Sequence, residues 1–159
     1  MYVIDASVHV ADARPSEPHH LEAHALLARV AAEGWMIYLP VIVLAEVAAA
    51  ISRGTGQPGL ARRLTSALRR VPHFQFVSVD TALGDVAAEL AAQHQIRGCD
   101  AVYVALAQQH NARLITLDRQ QRERVPPQVI ARTPAEELAE LAQQDVAAGE
   151  EGEESDDGA

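Results

Sequence analysis

Four carboxylates stand inside apolar stretches of the sequence or at the ends of such stretches. They are Asp5, Glu46, Asp100 and Asp118. Glu46 is the only polar residue between Leu39 and Ile51, and Asp5 and Asp118 each end an apolar run. A buried, unpaired carboxylate is costly, so each needs an Arg partner, a proton or a metal ion.

Each carboxylate also has an ordinary interpretation. Asp5 and Asp100 could cap the helices that follow them, and Asp118 could form a turn. Glu46 could face a narrow strip of solvent or pair with an arginine. Four acids at element junctions in one small domain favour a shared site, because strand ends converge in a parallel sheet.

Gathered carboxylates repel one another and become partly protonated, and hard divalent cations remove that conflict. Oxygen-only ligands favour Mg²⁺, with Mn²⁺ as the alternative. One or two such ions can activate water and stabilise the leaving oxygen of a phosphodiester. The metal also reverses the local charge, which lets an acidic site receive a polyanion.

The elements that must position these acids alternate along the chain. Short apolar segments at 2–5, 36–39, 74–79, 113–117 and 128–131 predict strands. Helical spacing of apolar residues predicts helices after Ser7, at 19–33, 41–53, 60–71, 80–95 and 100–110, and from Thr133 onward. Buried strands that alternate with helices predict an α/β fold, with three layers (α/β/α) and a central parallel sheet of four to five strands.

Charge and composition divide the chain unequally. The 159 residues carry a net charge of −9, and seven of those negative charges lie after Gln144, which leaves −2 for residues 1–144. We therefore expect a folded domain at 1–143 and an acidic, disordered tail at 144–159.

Cysteine usage and hydropathy predict the compartment. The single cysteine, Cys99, excludes an internal disulfide framework and is typical of a reducing environment. No stretch has the roughly 18 apolar residues of a membrane span, and residues 1–10 favour a strand over a secretion signal. We expect a cytoplasmic protein without membrane attachment.

Four blocks of the sequence together resemble the PIN-domain nucleases. They are Val3-Ile4-Asp5-Ala6-Ser7, Leu44-Ala45-Glu46-Val47, Asp100-Ala101-Val102-Tyr103-Val104-Ala105-Leu106-Ala107 and Leu114-Ile115-Thr116-Leu117-Asp118. The resemblance covers roughly residues 1–132 and depends on the order and spacing of all four blocks. The chain length is similar to that of the VapC-type toxins of toxin–antitoxin pairs.

This resemblance implies Mg²⁺-dependent cleavage of RNA, a homodimer, and inhibition by a cognate antitoxin protein. It implies that the metal ligands are Asp5, Glu46, Asp100 and Asp118. Ser7 and Thr116 would orient these ligands or a water molecule. Family members frequently have a further acid soon after the fourth, where the nearest one here is Glu123.

Basic residues supply a weaker prediction of RNA contacts. Arg119 and Arg122 lie just past Asp118, where they could meet phosphates, although a solvated arginine-rich face is also common. His9 is near Asp5 in sequence, and proximity alone suggests a general base.

Competing functions are excluded or left open by specific residues. Receiver domains require a lysine and P-loops a Gly-Lys pair, and this chain contains no lysine. Haloacid-dehalogenase-like phosphatases require a second Asp two residues after the first, where this chain has Ser7. The remaining alternative is a catalytically silent PIN-like module that binds RNA or protein.

Overall fold

The computed structural model describes residues 1–153, which form a central sheet flanked by helices. The strands are β1 (Tyr2–Ile4), β2 (Ile37–Pro40), β3 (Phe74–Val77), β4 (Arg113–Ile115) and β5 (Ala131–Arg132). The helices are α1 (Ala6–Ala13), α2 (His20–Ala32), α3 (Val43–Thr55), α4 (Pro58–Leu68), α5 (Thr81–His94), α6 (Gly98–Gln109), α7 (Arg119–Arg124) and α8 (Pro134–Glu153). Within residues 1–153, every helix is too short or too polar to cross a membrane.

The sheet has five parallel strands in the order β3-β2-β1-β4-β5, which confirms the predicted fold class. The chain builds β1, β2 and β3 in one direction and then crosses β1 to add β4 and β5. The order therefore reverses between β1 and β4, and α/β sheets bind ligands at the carboxyl ends beside such a reversal. Asp5 and Asp118 follow these two strands.

The core lies along the central strands and helix α6. Residues 3–4 of β1 and 114–115 of β4 are fully buried, as expected for a sheet covered on both faces. Helix α6 contacts β1, β2 and β4, and its residues 101–107 are all buried. A helix that is apolar on every side must be enclosed, so α6 fixes the position of its own first turn, where Asp100 lies.

Some predicted boundaries differ from the structure. The six-residue helix α7 was not predicted, because its arginine- and glutamine-rich sequence has no apolar face. Strand β5 starts at Ala131, later than the predicted 128. The predicted capping box is confirmed, since Thr133 and Glu136 exchange backbone-to-side-chain hydrogen bonds of 2.7 and 3.2 Å.

Helix α8 continues past Gln144, where the sequence predicts that the acidic tail begins. Arg29 on α2 donates two hydrogen bonds, each 3.0 Å long, to the Asp145 carboxylate. This pairing and the helix-forming residues Ala147 and Ala148 explain the longer helix. The tail prediction for residues 154–159 lies outside the described residues.

Candidate active site

Asp5 links the end of β1 to the start of α1. Its backbone N–H donates to the Ile115 carbonyl of β4 at 2.9 Å. Its Oδ2 accepts a hydrogen bond from the Ser7 N–H at 2.9 Å, so Asp5 is the cap of α1. The residue is only 7% exposed. The ordinary interpretation of Asp5 as a helix cap is therefore correct, and it does not prevent the side chain from lining a cleft.

Asp118 occupies the equivalent position after β4. Its Oδ1 accepts a hydrogen bond from the Gln121 N–H at 3.0 Å and caps α7. Its own N–H donates to Thr116 Oγ1 at 3.0 Å. The cap leaves Oδ2 available for another partner.

Glu46 lies in the first turn of α3, and its partner comes from α6. The Tyr103 hydroxyl donates a 2.5 Å hydrogen bond to Glu46 Oε2. A tyrosine, which sequence reasoning did not consider, therefore satisfies this half-buried carboxylate.

Asp100 lies within the first turn of α6, which begins at Gly98. The alternative interpretation of Asp100 as the helix cap does not hold, because the helix begins at Gly98 with Arg97 in the cap position. Arg97 Nε donates to Asp100 Oδ2 at 2.7 Å, and Arg97 Nη2 donates to Asp118 Oδ2. One guanidinium thus joins carboxylates from two separate elements.

All four predicted carboxylates line the same cleft, of about 540 Å³. The other residues that line it are Ala6, Ser7, Arg97, Gly98 and Cys99. The acids arrive from the ends of two strands and the first turns of two helices. The topology thus brings together residues that are up to 113 positions apart, from Asp5 to Asp118.

Burial and neighbouring negative charges raise the pKa values of three of the four carboxylates. Burial is the main reason that the pKa values of Asp5, Glu46 and Asp100 are raised. The charge of Asp118 raises the pKa values of Asp5 and Asp100 further, while Arg97 lowers those of Glu46 and Asp100. The cleft is therefore a place where added positive charge stabilises the ionised acids.

The two predicted supporting residues hold the backbone beside Asp118. Ser7 Oγ accepts a hydrogen bond from the Leu117 N–H at 3.1 Å, which ties α1 to the end of β4. Thr116 is fully buried, and its Oγ1 accepts a hydrogen bond from the Asp118 N–H. Both side chains orient the segment that carries a candidate ligand.

The other predicted residues lie away from the cleft lining. Arg119 is 81% exposed and pairs with Glu123 at 2.7 Å, and Arg122 pairs with Glu136 at 3.5 Å. His9 is buried against the ring of Phe74 and lines a different cavity, so its nearness to Asp5 in sequence does not place it in the site.

A known family model matches most of the chain. The family model described as "PIN domain" matches residues 2–125. The chain belongs to the PIN-domain family. The resemblance inferred from the four sequence blocks is thus confirmed, although no curated protein matches the sequence significantly.

Several solved structures share the PIN fold of this chain. VapC20 of Mycobacterium tuberculosis superposes with a TM-score of 0.67 at 19% identity, over 77% of this chain and 94% of that one. FitAcB of Neisseria gonorrhoeae gives 0.64 at 22% identity, over 84% and 98%. VapBC2 of Rickettsia felis, bound to a promoter DNA fragment, gives 0.64 at 18% identity, over 83% and 97%.

The PIN-domain cleft fits a divalent metal in the chemistry of its donors. Four carboxylates offer the hard oxygen ligands that Mg²⁺ and Mn²⁺ prefer. In the arrangement described for residues 1–153, however, no group of three or more His, Cys, Asp or Glu side chains could hold a metal ion as placed. The Arg97 guanidinium bridges Asp100 and Asp118 in this arrangement.

Sequence reasoning about this PIN domain missed three polar residues of the site. They are Arg97, Tyr103 and Gln121, whose side-chain amide donates to the Asp100 carbonyl at 3.1 Å. One pattern could have found two of them, since Arg97 and Tyr103 lie three residues before and three residues after Asp100, about one helical turn away on either side.

Cys99 lines the PIN-domain cleft beside the carboxylates. Burial and the charges of Glu46 and Asp100 raise the pKa of its thiol. A raised pKa disfavours the thiolate that nucleophilic catalysis needs. The site therefore favours chemistry by carboxylates over chemistry by cysteine.

Proposed function

We propose that this PIN-domain chain is a divalent-metal-dependent endoribonuclease, the toxin of a VapBC-type toxin–antitoxin pair. The observation that carries the proposal is the convergence of Asp5, Glu46, Asp100 and Asp118 on one cleft. The raised pKa values of Asp5, Glu46 and Asp100 support a site that an added cation would stabilise.

The four carboxylates would hold Mg²⁺, or Mn²⁺ in its place. The bound metal would supply an activated water and charge neutralisation for cleavage of an RNA phosphodiester. In the chain itself, Tyr103 fixes the rotamer of Glu46, and the caps at Asp5 and Asp118 fix those two side chains. Ser7 and Thr116 hold the backbone at Asp118 and so limit its movement.

The relatives support the choice of reaction and partner. VapC20 is described as a toxin that cleaves the sarcin–ricin loop, which is RNA. A structure described as a toxin–antitoxin complex, from Klebsiella pneumoniae, also matches, with a TM-score of 0.62 at 20% identity. We propose by analogy a cognate antitoxin, a homodimer and action in the cytoplasm, with Arg119 and Arg122 as outer contacts to RNA.

Asparagine variants of Asp5 and Asp118 test the metal-dependent activity. Asn keeps an oxygen that can accept the capping hydrogen bond but removes the charge, so the fold should survive. We expect Mg²⁺-dependent cleavage of a mixed RNA pool to fall at least about a hundredfold. Loss of a residue that only supports a metal ligand costs up to about that factor, and loss of the ligand itself should cost more. Asp85→Asn, an exposed substitution on α5, is the matched control and should retain full cleavage.

The outcomes separate the nuclease from the silent binding module. Unchanged cleavage by both Asp5→Asn and Asp118→Asn would contradict the metal mechanism. If the wild-type chain cleaves no RNA in the pool but binds it, the binding-module alternative is favoured.

The partner proposals need separate experiments. The product of the neighbouring reading frame should form a complex with this chain and suppress its RNA cleavage. Light scattering tests the homodimer separately, and the purified chain should give a mass twice that of the 17.1 kDa monomer. A monomeric mass would contradict the homodimer and leave the nuclease proposal intact.

A further inference from the structure

Arg97 is the basic residue among those that line the carboxylate cleft. It stands at the start of α6, where the backbone is still extended, with φ −63° and ψ 145°. From there its guanidinium reaches Asp100 in the same helix and Asp118 beyond β4. The side chain is 65% exposed, whereas the Asp100 and Asp118 side chains are 14% and 27% exposed.

Arg97 occupies carboxylate oxygens that a metal ion could also bind. Asp118 Oδ1 is engaged in the cap of α7, and Arg97 takes Oδ2. At Asp100 the guanidinium again takes Oδ2. A cation that binds both aspartates through these oxygens therefore meets the guanidinium first.

The charges in the cleft also favour a competition between Arg97 and a metal ion. The Arg97 guanidinium brings one positive charge into contact with two carboxylates of the cleft. Arg97 thus neutralises part of the charge that a metal would otherwise neutralise. Because the guanidinium is mostly exposed, it can leave for solvent at modest cost, as expected for a surface ion pair.

We propose that Arg97 is an internal counter-cation that competes with the divalent metal for Asp100 and Asp118, so that metal binding requires the guanidinium to be displaced. This role sets the metal affinity of the cleft. The inference rests on the proposed function, because it assumes that the cleft binds a metal.

Equilibrium binding of Mn²⁺ to the full chain, without RNA, tests the competition. Free Mn²⁺ is measured by its electron paramagnetic resonance signal. Arg97→Gln removes the competing charge, and we expect the dissociation constant to fall about fivefold, the scale of one strong exposed ion pair. Arg97→Lys keeps the charge but cannot form the two-armed bridge, so its affinity should lie between those of wild type and Arg97→Gln.

The control is Arg119→Gln, which removes the same charge next to Asp118 in sequence. The Arg119 side chain is 81% exposed, pairs with Glu123 and is not among the residues that line the carboxylate cleft. Its Mn²⁺ affinity should therefore match that of wild type. A gain equal to that of Arg97→Gln would overturn the specific competition.

The remaining outcomes distinguish this inference from the proposed function. If wild type binds Mn²⁺ and Arg97→Gln binds it equally or more weakly, the competition is overturned and the metal site stands. If neither protein binds Mn²⁺, both the inference and the metal-dependent function fail. Thermal melts establish that each variant is folded, and Arg97→Lys carries the test if Arg97→Gln does not fold.

Discussion

The hydroxyl of Tyr103 donates a 2.5 Å hydrogen bond to Glu46 Oε2 and joins the two helices α3 and α6 at the edge of the cleft. The tyrosine is fully buried, and burial together with the charges of Asp5 and Glu46 raises its pKa. Tyr103 therefore stays neutral and acts as a permanent donor to a carboxylate that would otherwise lie half-buried without a partner.

Tyr103→Phe removes this donor and keeps the ring in the core. We expect the free energy of unfolding to fall by about 1–3 kcal/mol, because a partly buried acceptor loses its partner. Cleavage of RNA should also fall, by roughly 10–100-fold, since Glu46 is no longer held in one orientation. Urea denaturation and initial cleavage rates measure the two effects.

Tyr38→Phe is the matched control, because its hydroxyl donates a long hydrogen bond of 3.8 Å to the Met1 sulfur and none to a carboxylate within residues 1–153. Its stability should change by less than about 0.5 kcal/mol. Equal losses in the two variants would show that the Glu46 hydrogen bond has no special importance.

This hydrogen bond also shows where sequence reasoning ends. The isolation of Glu46 in an apolar run correctly indicated that it needs a partner, and the strand ends correctly placed Asp5 and Asp118 at one edge of the sheet. Tyr103, in contrast, lies among apolar residues of α6 and has the pattern of an ordinary core residue. Its partner is set by the packing of α6 against the rest of the fold, which local sequence does not encode.

The same reason explains why Arg97 and the position of Asp100 were missed. A helix start depends on backbone conformation, and Asp100 has the residue type of a cap although the helix begins at Gly98. The bridge from Arg97 to Asp118 spans 21 residues and two elements. Only the folded structure brings these two residues together.

Ser7→Ala and Thr116→Val test whether the backbone beside Asp118 must be held in place. Each variant removes an acceptor for a backbone N–H, of Leu117 and Asp118 respectively. We expect each to lose about 1–3 kcal/mol in the free energy of unfolding. Chemical denaturation checks this, and Ser16→Ala in the exposed loop after α1 should be neutral. Wild-type stability in both variants would contradict the assigned roles.

Glu137 forms a buried ion cluster that attaches α8 to the sheet. Its carboxylate is fully buried and accepts hydrogen bonds from Tyr2 at 2.8 Å, Arg113 at 2.6 Å and Arg132 at 3.0 Å. Burial alone would raise the pKa of Glu137, but these hydrogen bonds and charges outweigh it and lower the pKa. The cluster thus favours the ionised form in the folded state.

Glu137→Ala leaves two arginines without their common partner. We expect a loss of about 3–5 kcal/mol in the free energy of unfolding at neutral pH, and a smaller loss for Glu137→Gln, which keeps an acceptor. Because the folded pKa is lowered, the stabilisation exists above the unfolded pKa and disappears as pH falls through the folded one. Urea titrations at several pH values test this. Glu140→Ala, on the same helix and more exposed, should cost about 1 kcal/mol or less.

His9 is buried and lines a small cavity whose lining includes none of the four carboxylates. Its two ring nitrogens have no hydrogen-bond partner within the described part of the chain. Burial lowers the pKa of His9 to about 4, against a small opposing effect of Asp12. Asp12 and His73 are the other titratable groups that line this cavity, of about 220 Å³.

The lowered pKa of His9 predicts a specific dependence of stability on pH. The unfolded chain takes up a proton near pH 6.5 and the folded chain only near pH 4, so the free energy of unfolding falls as pH drops between these values. The shift corresponds to about 3 kcal/mol in total. His9→Phe abolishes this contribution, so its stability should decline less than that of wild type between pH 6.5 and 4. His19→Gln, an exposed control, should follow the wild-type curve. Parallel curves for wild type and His9→Phe would show that His9 is hydrated or paired in solution and does not destabilise the fold in acid.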